Sequence, residues 1–241
     1  LLIHEQNSVP GTTNRLLAPL ARQVLEGFPG SLPGRYRPRH IGNPVRAEIA
    51  ALPAPAERMR GREGGLRLLV VGGSLGAQVL NRTVPEAVAL LQDSLALEVR
   101  HQTGRAGESG VRERYAALGC PARAEAFIED MAEAYAWADL VVCRAGALTI
   151  AELAAAGLPA ILVPYPHATD DHQTGNAAYL ADAGAAILLP QPELNDEALA
   201  RELQRLGGDR EVLLAMANRA RELAVTDAAQ QVARLCLEAA A

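Results

Sequence analysis

An α/β fold built on a six-stranded parallel sheet is what this sequence predicts, and three observations carry the prediction. Apolar, strand-like runs alternate with helical segments from residue 67 onward, the pattern of repeated βα units. Two strands run straight into glycine-bearing turns that open helices, Val70-Val71-Gly72-Gly73-Ser74-Leu75-Gly76-Ala77 and Val142-Cys143-Arg144-Ala145-Gly146-Ala147. The composition is globular, 49% hydrophobic and 21% charged over 241 residues, enough chain for one large or two small domains with a real core.

Residues 1–3 read as the end of a strand, 4–7 as a polar loop, 11–21 as a helix and 23–25 as a short strand. Residues 28–38 are rich in Pro, Gly and Arg, extended structure returns at His40 and Ile41, and Gly42-Asn43-Pro44-Val45-Arg46 leads into a new segment. The interdomain link is placed there, with residues 1–45 as the remnant of one domain plus linker and 46–241 as a second domain. In the second, strands are expected near 67–71, 95–100 (running on to His101 and Gln102), 123–127, 139–143, 159–163 and 185–189. Ligands of such sheets sit outside the carboxyl ends of the strands. Helices over 196–206, 210–223 and 227–238 close the chain. Because the chain opens on apolar Leu1-Leu2-Ile3 without a methionine, an N-terminal portion is expected to precede it.

Composition excludes several functions. Aromatics at 3% and a net charge of −5 leave neither stacking surface nor basic stripe for nucleic acid. All 23 basic residues are arginine, a compositional bias that still allows local contact with anionic lipid headgroups. Cys120, Cys143 and Cys236 show no C-x-x-C spacing, so neither a disulfide framework nor a zinc site is indicated, and a reducing cytosol fits best. No apolar run reaches transmembrane length, so any membrane contact is expected to be peripheral.

The most informative stretch is 143–176. A buried strand, a tight turn over 144–146 and a helix over 147–156 ended by Gly157 leave helix-start amides pointing outward. Unpaired N–H groups and the helix dipole form an anion site without a lysine, so a diphosphate is expected over Ala147, Leu148 and Thr149, on the segment that continues through Ile150 and Ala151. Glu152 lies one turn further in, on the face of Thr149, where its carboxylate suits a ribose diol. By itself the stretch is also compatible with a helix that binds nothing and a solvated glutamate.

The turn over 72–77 invites a dinucleotide reading, but its spacing is not G-x-G-x-x-G, the next strand ends in His101 and Gln102 rather than an acid, and no Gly-Lys-Ser/Thr follows. Read alone it is better taken as a tight βα turn that uses glycine for close packing, and Ser74 does not decide between the two. His4, His101 and His167 are read as hydrogen-bonded fixtures rather than catalysts.

Taken in order and spacing, His4-Glu5-Gln6-Asn7, Gly42-Asn43-Pro44-Val45-Arg46, Gly72-Gly73-Ser74-Leu75-Gly76-Ala77, Phe127-Ile128-Glu129-Asp130-Met131, residues 143–152 and His172-Gln173 with Asn176 resemble the MurG family. The resemblance covers essentially the whole chain. It implies a GT-B glycosyltransferase, two Rossmann-like domains facing across a cleft, that moves N-acetylglucosamine from UDP-N-acetylglucosamine to the 4-hydroxyl of undecaprenyl-linked lipid I with inversion, giving lipid II. It further implies peptidoglycan synthesis, and with it cell wall, shape and division, at the cytoplasmic face of the plasma membrane, without a cofactor. Carried over by position, Asn7 lines the cleft near the donor sugar, Arg46 and Ile128 contact the nucleoside, and Ser74 is the phosphate-loop serine. Leu148 and Thr149 supply phosphate amides, Glu152 meets the ribose, and Gln173 and Asn176 meet sugar hydroxyls. The loop over 167–171 is one residue longer than in some relatives, so Gln173 is aligned from Asn176 and no role is given to His172.

Family members carry near their N-terminus a Gly-rich turn ending in a histidine, the candidate base for the acceptor hydroxyl. That motif is absent here, so about 100 residues, a small domain, are expected to be missing together with the base. Glu5 is the carboxylate that remains as an alternative base, although the resemblance makes His4 and Glu5 cleft-shaping rather than base positions. Helix-start dipoles at Ala147 and the 72–77 turn are expected to stabilise the departing UDP, and with no D-x-D pair no metal is expected. The alternatives are a non-catalytic UDP-N-acetylglucosamine-binding module that needs a separate acceptor-domain partner, and another GT-B UDP-sugar enzyme.

Overall fold

A computed structural model of the chain describes residues 1–73 and 76–240. Its strands form two parallel sheets. The first joins Leu2–Glu5 (β1), Gln23–Glu26 (β2) and Arg39–His40 (β3) in that order, with helix Thr12–Leu17 (α1) between β1 and β2. Two expectations are corrected here. His4 and Glu5 belong to β1 rather than to a polar loop, because their polar atoms find partners inside the fold: His4 Nε2 lies 2.9 Å from the Gly42 carbonyl, and Glu5 accepts three N–H groups. The helix expected over 11–21 stops at Leu17 and finishes as a 3₁₀ turn, Ala18–Leu20, around Pro19, which has no N–H to continue an α-helix.

The rest of the chain follows as Ala47–Ala50 (α2), Pro55–Arg58 (α3), Leu66–Val71 (β4), Gln78–Ala89 (α4), Leu97–Gln102 (β5), Glu108–Ala117 (α5), Ala122–Glu125 (β6), Met131–Trp137 (α6), Leu140–Cys143 (β7), Ala147–Ala156 (α7), Ala160–Leu162 (β8), His172–Ala181 (α8), Ala186–Leu188 (β9), Asp196–Gly207 (α9), Arg210–Glu222 (α10) and Ala228–Ala240 (α11). The six strands from β4 to β9 form the predicted parallel sheet, in the order β6-β5-β4-β7-β8-β9. β5 lies slightly later than the 95–100 estimate because its polar end is satisfied in the interior. The His101 ring nitrogens are 3.1 Å from Tyr115 Oη and from Asn81 Oδ1, and Gln102 donates to the Gly73 carbonyl at 3.2 Å.

Strand alternation builds a core on each face. Leu68, Val70 and Val142 pack with Leu80 and Val84 of α4 and Leu203 of α9. Leu69, Val141 and Cys143 pack with Tyr135 of α6 and Ile150 and Leu153 of α7. The closing helix α11 returns to the first sheet, where Leu235 clusters with Leu25 and Ile41.

Strand order reverses between β4 and β7: the chain first steps outward to β5 and β6, then returns past β4 to β7 and onward to β8 and β9. At such a switch point the helices that follow the two neighbouring strands diverge, and a crevice opens at the carboxyl ends. Gly72, Gly73 and Gly76 after β4 and the 144–146 turn after β7 lie there.

Candidate donor site

The turn after β4 is possible only with glycine at Gly76. Its φ is +75°, and a β-carbon there would collide with the Thr103 carbonyl of the loop beyond β5. Ser74, expected at the phosphates, lies outside the described residues. The turn after β7 leads into α7 through Gly146, whose extended backbone forms the N-cap without any side-chain hydrogen bond. By contrast α6, α9 and α10 are capped by Asp130, Asn195 and Asp209. The other end of α7 is closed. Gly157 takes the left-handed conformation at φ +60°, Arg58 donates to the Ala156 and Gly157 carbonyls, and Arg221 donates to that of Ala155. Burial, with Arg62 and Arg221 close by, pulls the Arg58 guanidinium down to about 10. Cations therefore cover the negative end of the α7 dipole, while among the described residues no side chain caps its positive end at Ala147, Leu148 and Thr149. Leu148 is exposed there, whereas Ala147 and Ile150 are buried and Ala151 is half-buried beneath it.

Glu152 is not a solvated helix glutamate. Its side chain is 16% exposed. Oε1 accepts from Arg46 Nε at 3.2 Å and Nη2 at 3.0 Å, and Oε2 accepts from Tyr135 Oη at 3.1 Å. The fold thus brings Arg46, the last residue before α2, onto the carboxylate picked out in α7. Tyr135 was not anticipated. Ile128 is also near this group in the fold, but its side chain is buried in the core cluster of Tyr135 and Ile150.

Gln173 opens onto the other side of the helix start. Its Oε1 accepts from the Ala145 amide at 3.2 Å and the Tyr165 amide at 2.9 Å, and among the described residues its NH₂ end has no partner. It shares a cleft of about 730 Å³ with Gly72, Gly76, Arg82, Arg144 and Tyr165. Arg144 is a second residue the motif reading passed over. Its guanidinium donates to the Val163 and Pro164 carbonyls and to Gln191 Oε1, and lies 5.4 Å from the Tyr165 ring centroid. A lone arginine in a turn gives no sequence signal of this kind. Burial lowers its pKa without neutralising it at ordinary pH, so it places positive charge in the cleft.

Asn7 and Asn176 meet behind this cleft. Asn176 is 0% exposed: its Nδ2 donates to Asn7 Oδ1 at 3.2 Å and to the Ala145 carbonyl at 3.1 Å, and its Oδ1 accepts from the Ser8 amide at 2.8 Å. The pair ties the loop after β1 to the turn that opens α7. Nearby, Asp170 and Asp171 both hold positive φ, and Arg15 bridges to Asp170 at 3.3 Å. His172 Nδ1 contacts the Thr169 carbonyl at 2.7 Å, and His167 is exposed beside Tyr165. Glu5 is 3% exposed and accepts from the Asn7 and Gly11 amides and from Asn14 Nδ2.

A slightly larger cleft, about 780 Å³, lies between α4, α5 and the start of α9, lined by Asn81, Arg82, Glu86, Arg114 and Asp196. Its Arg114 is paired with Glu86. The switch-point crevice is the better candidate, because Arg144 and Gln173 line it and Gln173 is tied to the Ala145 amide of the turn that opens α7. Among the described residues, no helix is long and apolar enough to cross a membrane.

Similarity to known proteins identifies the family of the chain. Residues 67–232 match the model of the glycosyltransferase family 28 C-terminal domain. The chain is 54% identical over 240 residues to a Marinobacter nauticus protein and 56% identical over 241 residues to one from Dechloromonas aromatica. Both are named UDP-N-acetylglucosamine–N-acetylmuramyl-(pentapeptide) pyrophosphoryl-undecaprenol N-acetylglucosamine transferase. Each match takes in 100% of this chain and 66% of the relative. The crystal structure of Acinetobacter baumannii MurG superposes with a TM-score of 0.89 at 39% identity, over 98% of this chain and 66% of that one. The chain thus spans about two thirds of the length of these relatives, and it belongs to glycosyltransferase family 28.

Proposed function

We propose that this chain carries the donor half of an inverting N-acetylglucosaminyltransferase that takes UDP-N-acetylglucosamine as donor and undecaprenyl-linked lipid I as acceptor, giving lipid II. The observation that carries the reading is the order of groups across the start of α7. Arg46 and Glu152 lie on one side, open amides at Leu148 and Thr149 in the middle, and Gln173 on the other. That order matches nucleoside, diphosphate and sugar. Glu152 exchanges the Arg46 guanidinium for the ribose diol, and Arg46 turns to the nucleoside. At Ile128, whose side chain is buried, the contact comes from its peptide groups. Gln173 offers its NH₂ to a sugar hydroxyl. Asn176 and Asn7 support the sugar side by holding the β1 loop against Ala145, and Ser74 is proposed at the phosphates.

When the acceptor 4-hydroxyl attacks the anomeric carbon, the C–O bond to UDP breaks and negative charge grows on the diphosphate. Fixed amides at the helix start and the pinned Arg144 stabilise that charge without reorganising. Glu5 is not assigned as the base: its carboxylate is buried and already engaged by the Asn7 and Gly11 amides and Asn14 Nδ2, which hold it in its own loop. The base is assigned to the domain that holds the acceptor, with residues 1–45 as part of that domain and 46–241 as the donor domain. We further propose peripheral attachment at the cytoplasmic face of the membrane, with arginines meeting anionic lipid.

Calorimetry tests the reading with UDP and UDP-N-acetylglucosamine on the chain, Glu152→Ala and Gln173→Ala. Glu152→Ala is expected to weaken both ligands, and Gln173→Ala mainly the sugar nucleotide. Equal affinities in all three proteins would remove the donor-site assignment.

A further inference from the structure

Glu152 has two partners of different character. The Arg46 contact is exposed, and that guanidinium sits on a long, half-exposed side chain. The Tyr135 contact is interior. The ring is fully buried in the core cluster of Cys143, Ile150 and Leu153, and among the described residues its hydroxyl has one hydrogen bond, to Glu152 Oε2. Helix α6 cannot easily shift the ring, since its first turn is locked by Asp130, which accepts from the Glu133 amide at 2.8 Å.

We propose that Tyr135 is a positioning residue of the donor site: its hydroxyl fixes Oε2 of Glu152, so that Oε1 alone is presented, to Arg46 in the empty chain and to a ribose diol when nucleotide binds. The inference rests on the reading of Glu152 as the ribose ligand. A glutamate on an open helix face samples several rotamers, and a single buried donor on one oxygen removes that freedom before the ligand arrives. The hydroxyl stays a donor at any working pH, because burial first and the neighbouring carboxylate second push its pKa well above the usual phenol value. Tyr135 therefore acts by geometry and not by titration.

The test is calorimetry of the 241-residue chain with UDP and with its 2′,3′-dideoxy analogue, on wild type, Tyr135→Phe, Glu152→Ala and the double variant. Tyr135→Phe keeps the ring and removes only the hydroxyl. It is expected to weaken UDP about fivefold, leave the dideoxy analogue within about twofold, and have no further effect once Glu152 is alanine. A parallel loss of both ligands, from repacking or from unfolding, would overturn the proposal. So would an unchanged UDP affinity, or a loss that persists in the Glu152→Ala background. If Glu152→Ala itself leaves UDP unchanged, the donor-site reading fails first; a Glu152 effect without a Tyr135 effect removes this inference alone.

Discussion

Glu5 at the end of β1 and Glu152 in α7 each accept three hydrogen bonds, yet they do opposite jobs. The donors to Glu5 come from Asn7, Gly11 and Asn14, all within nine residues of it. That carboxylate is used to hold its own loop. The donors to Glu152 come from Tyr135, 17 residues away, and Arg46, 106 residues away, and the second of these is half-exposed. One glutamate is closed by local structure; the other joins distant segments and keeps one oxygen exchangeable. Asn176 and Gln173, three residues apart on α8, repeat the contrast. The first has its donors and acceptor engaged in the interior, and the second engages only its carbonyl. A polar residue in a motif is thus available to a ligand only if the fold has not already used its hydrogen bonds.

Breaking the closed members should cost stability. Glu5→Ala leaves three N–H groups without their acceptor, two of them backbone amides, and is expected to lower unfolding free energy by about 3 kcal/mol in urea titration. A loss below about 1 kcal/mol would place Glu5 among the available carboxylates. Asn176→Ala should cost about 2 kcal/mol for the same reason.

His101 sharpens the point with pH. Burial holds its imidazole down to about 3, so the folded chain keeps it neutral where the unfolded chain, near 6.5, takes up a proton. Protons thus favour the unfolded state between those values. Stability contributed by a neutral His101 is complete above about 6.5 and falls by about 1.4 kcal/mol per pH unit below it, toward about 3. His101→Gln should flatten that slope in urea titrations at pH 7, 6 and 5. An unchanged slope would mean that other groups set it.

Glu152→Ala belongs at the other pole. It is expected to weaken UDP about tenfold and, because only the buried Tyr135 hydroxyl loses its acceptor in the interior, to lower stability by about 1–2 kcal/mol, less than Glu5→Ala. A large stability loss would make it a second Glu5. The smallest effect belongs to Arg15→Ala. Its bridge to Asp170 is exposed at both ends, so unfolding free energy should change by at most about 0.5 kcal/mol.

Much of this was legible beforehand where a local rule decides. Helix α7 could be bounded from its apolar run and Gly157, and the six strands from alternation, because each is set by neighbours in sequence. Pro19, with no N–H to continue a helix, is the local signal that shortens α1. Polar residues at strand ends were harder. His4 looked like loop because its partner, the Gly42 carbonyl, is 38 residues away, and Glu5 because its nearby donors at Asn7, Gly11 and Asn14 follow no recognised spacing. Least legible were the groups that complete the site. Tyr135 looks like any core aromatic, and Arg144 like any turn arginine, until the fold sets them against Glu152 and the Val163 carbonyl. Helix spacing named Glu152 and a resemblance to a known family named Arg46; that they touch is a product of the fold.

The central claim is that a sugar nucleotide lies across the start of α7. A crystal structure of the chain with UDP-N-acetylglucosamine tests it most directly. The account predicts diphosphate oxygens about 3 Å from the amides of Leu148 and Thr149, with ribose hydroxyls on Glu152 in place of Arg46. A nucleotide bound instead in the cleft between α4 and α5, with the Arg46 and Glu152 pair intact, would contradict it.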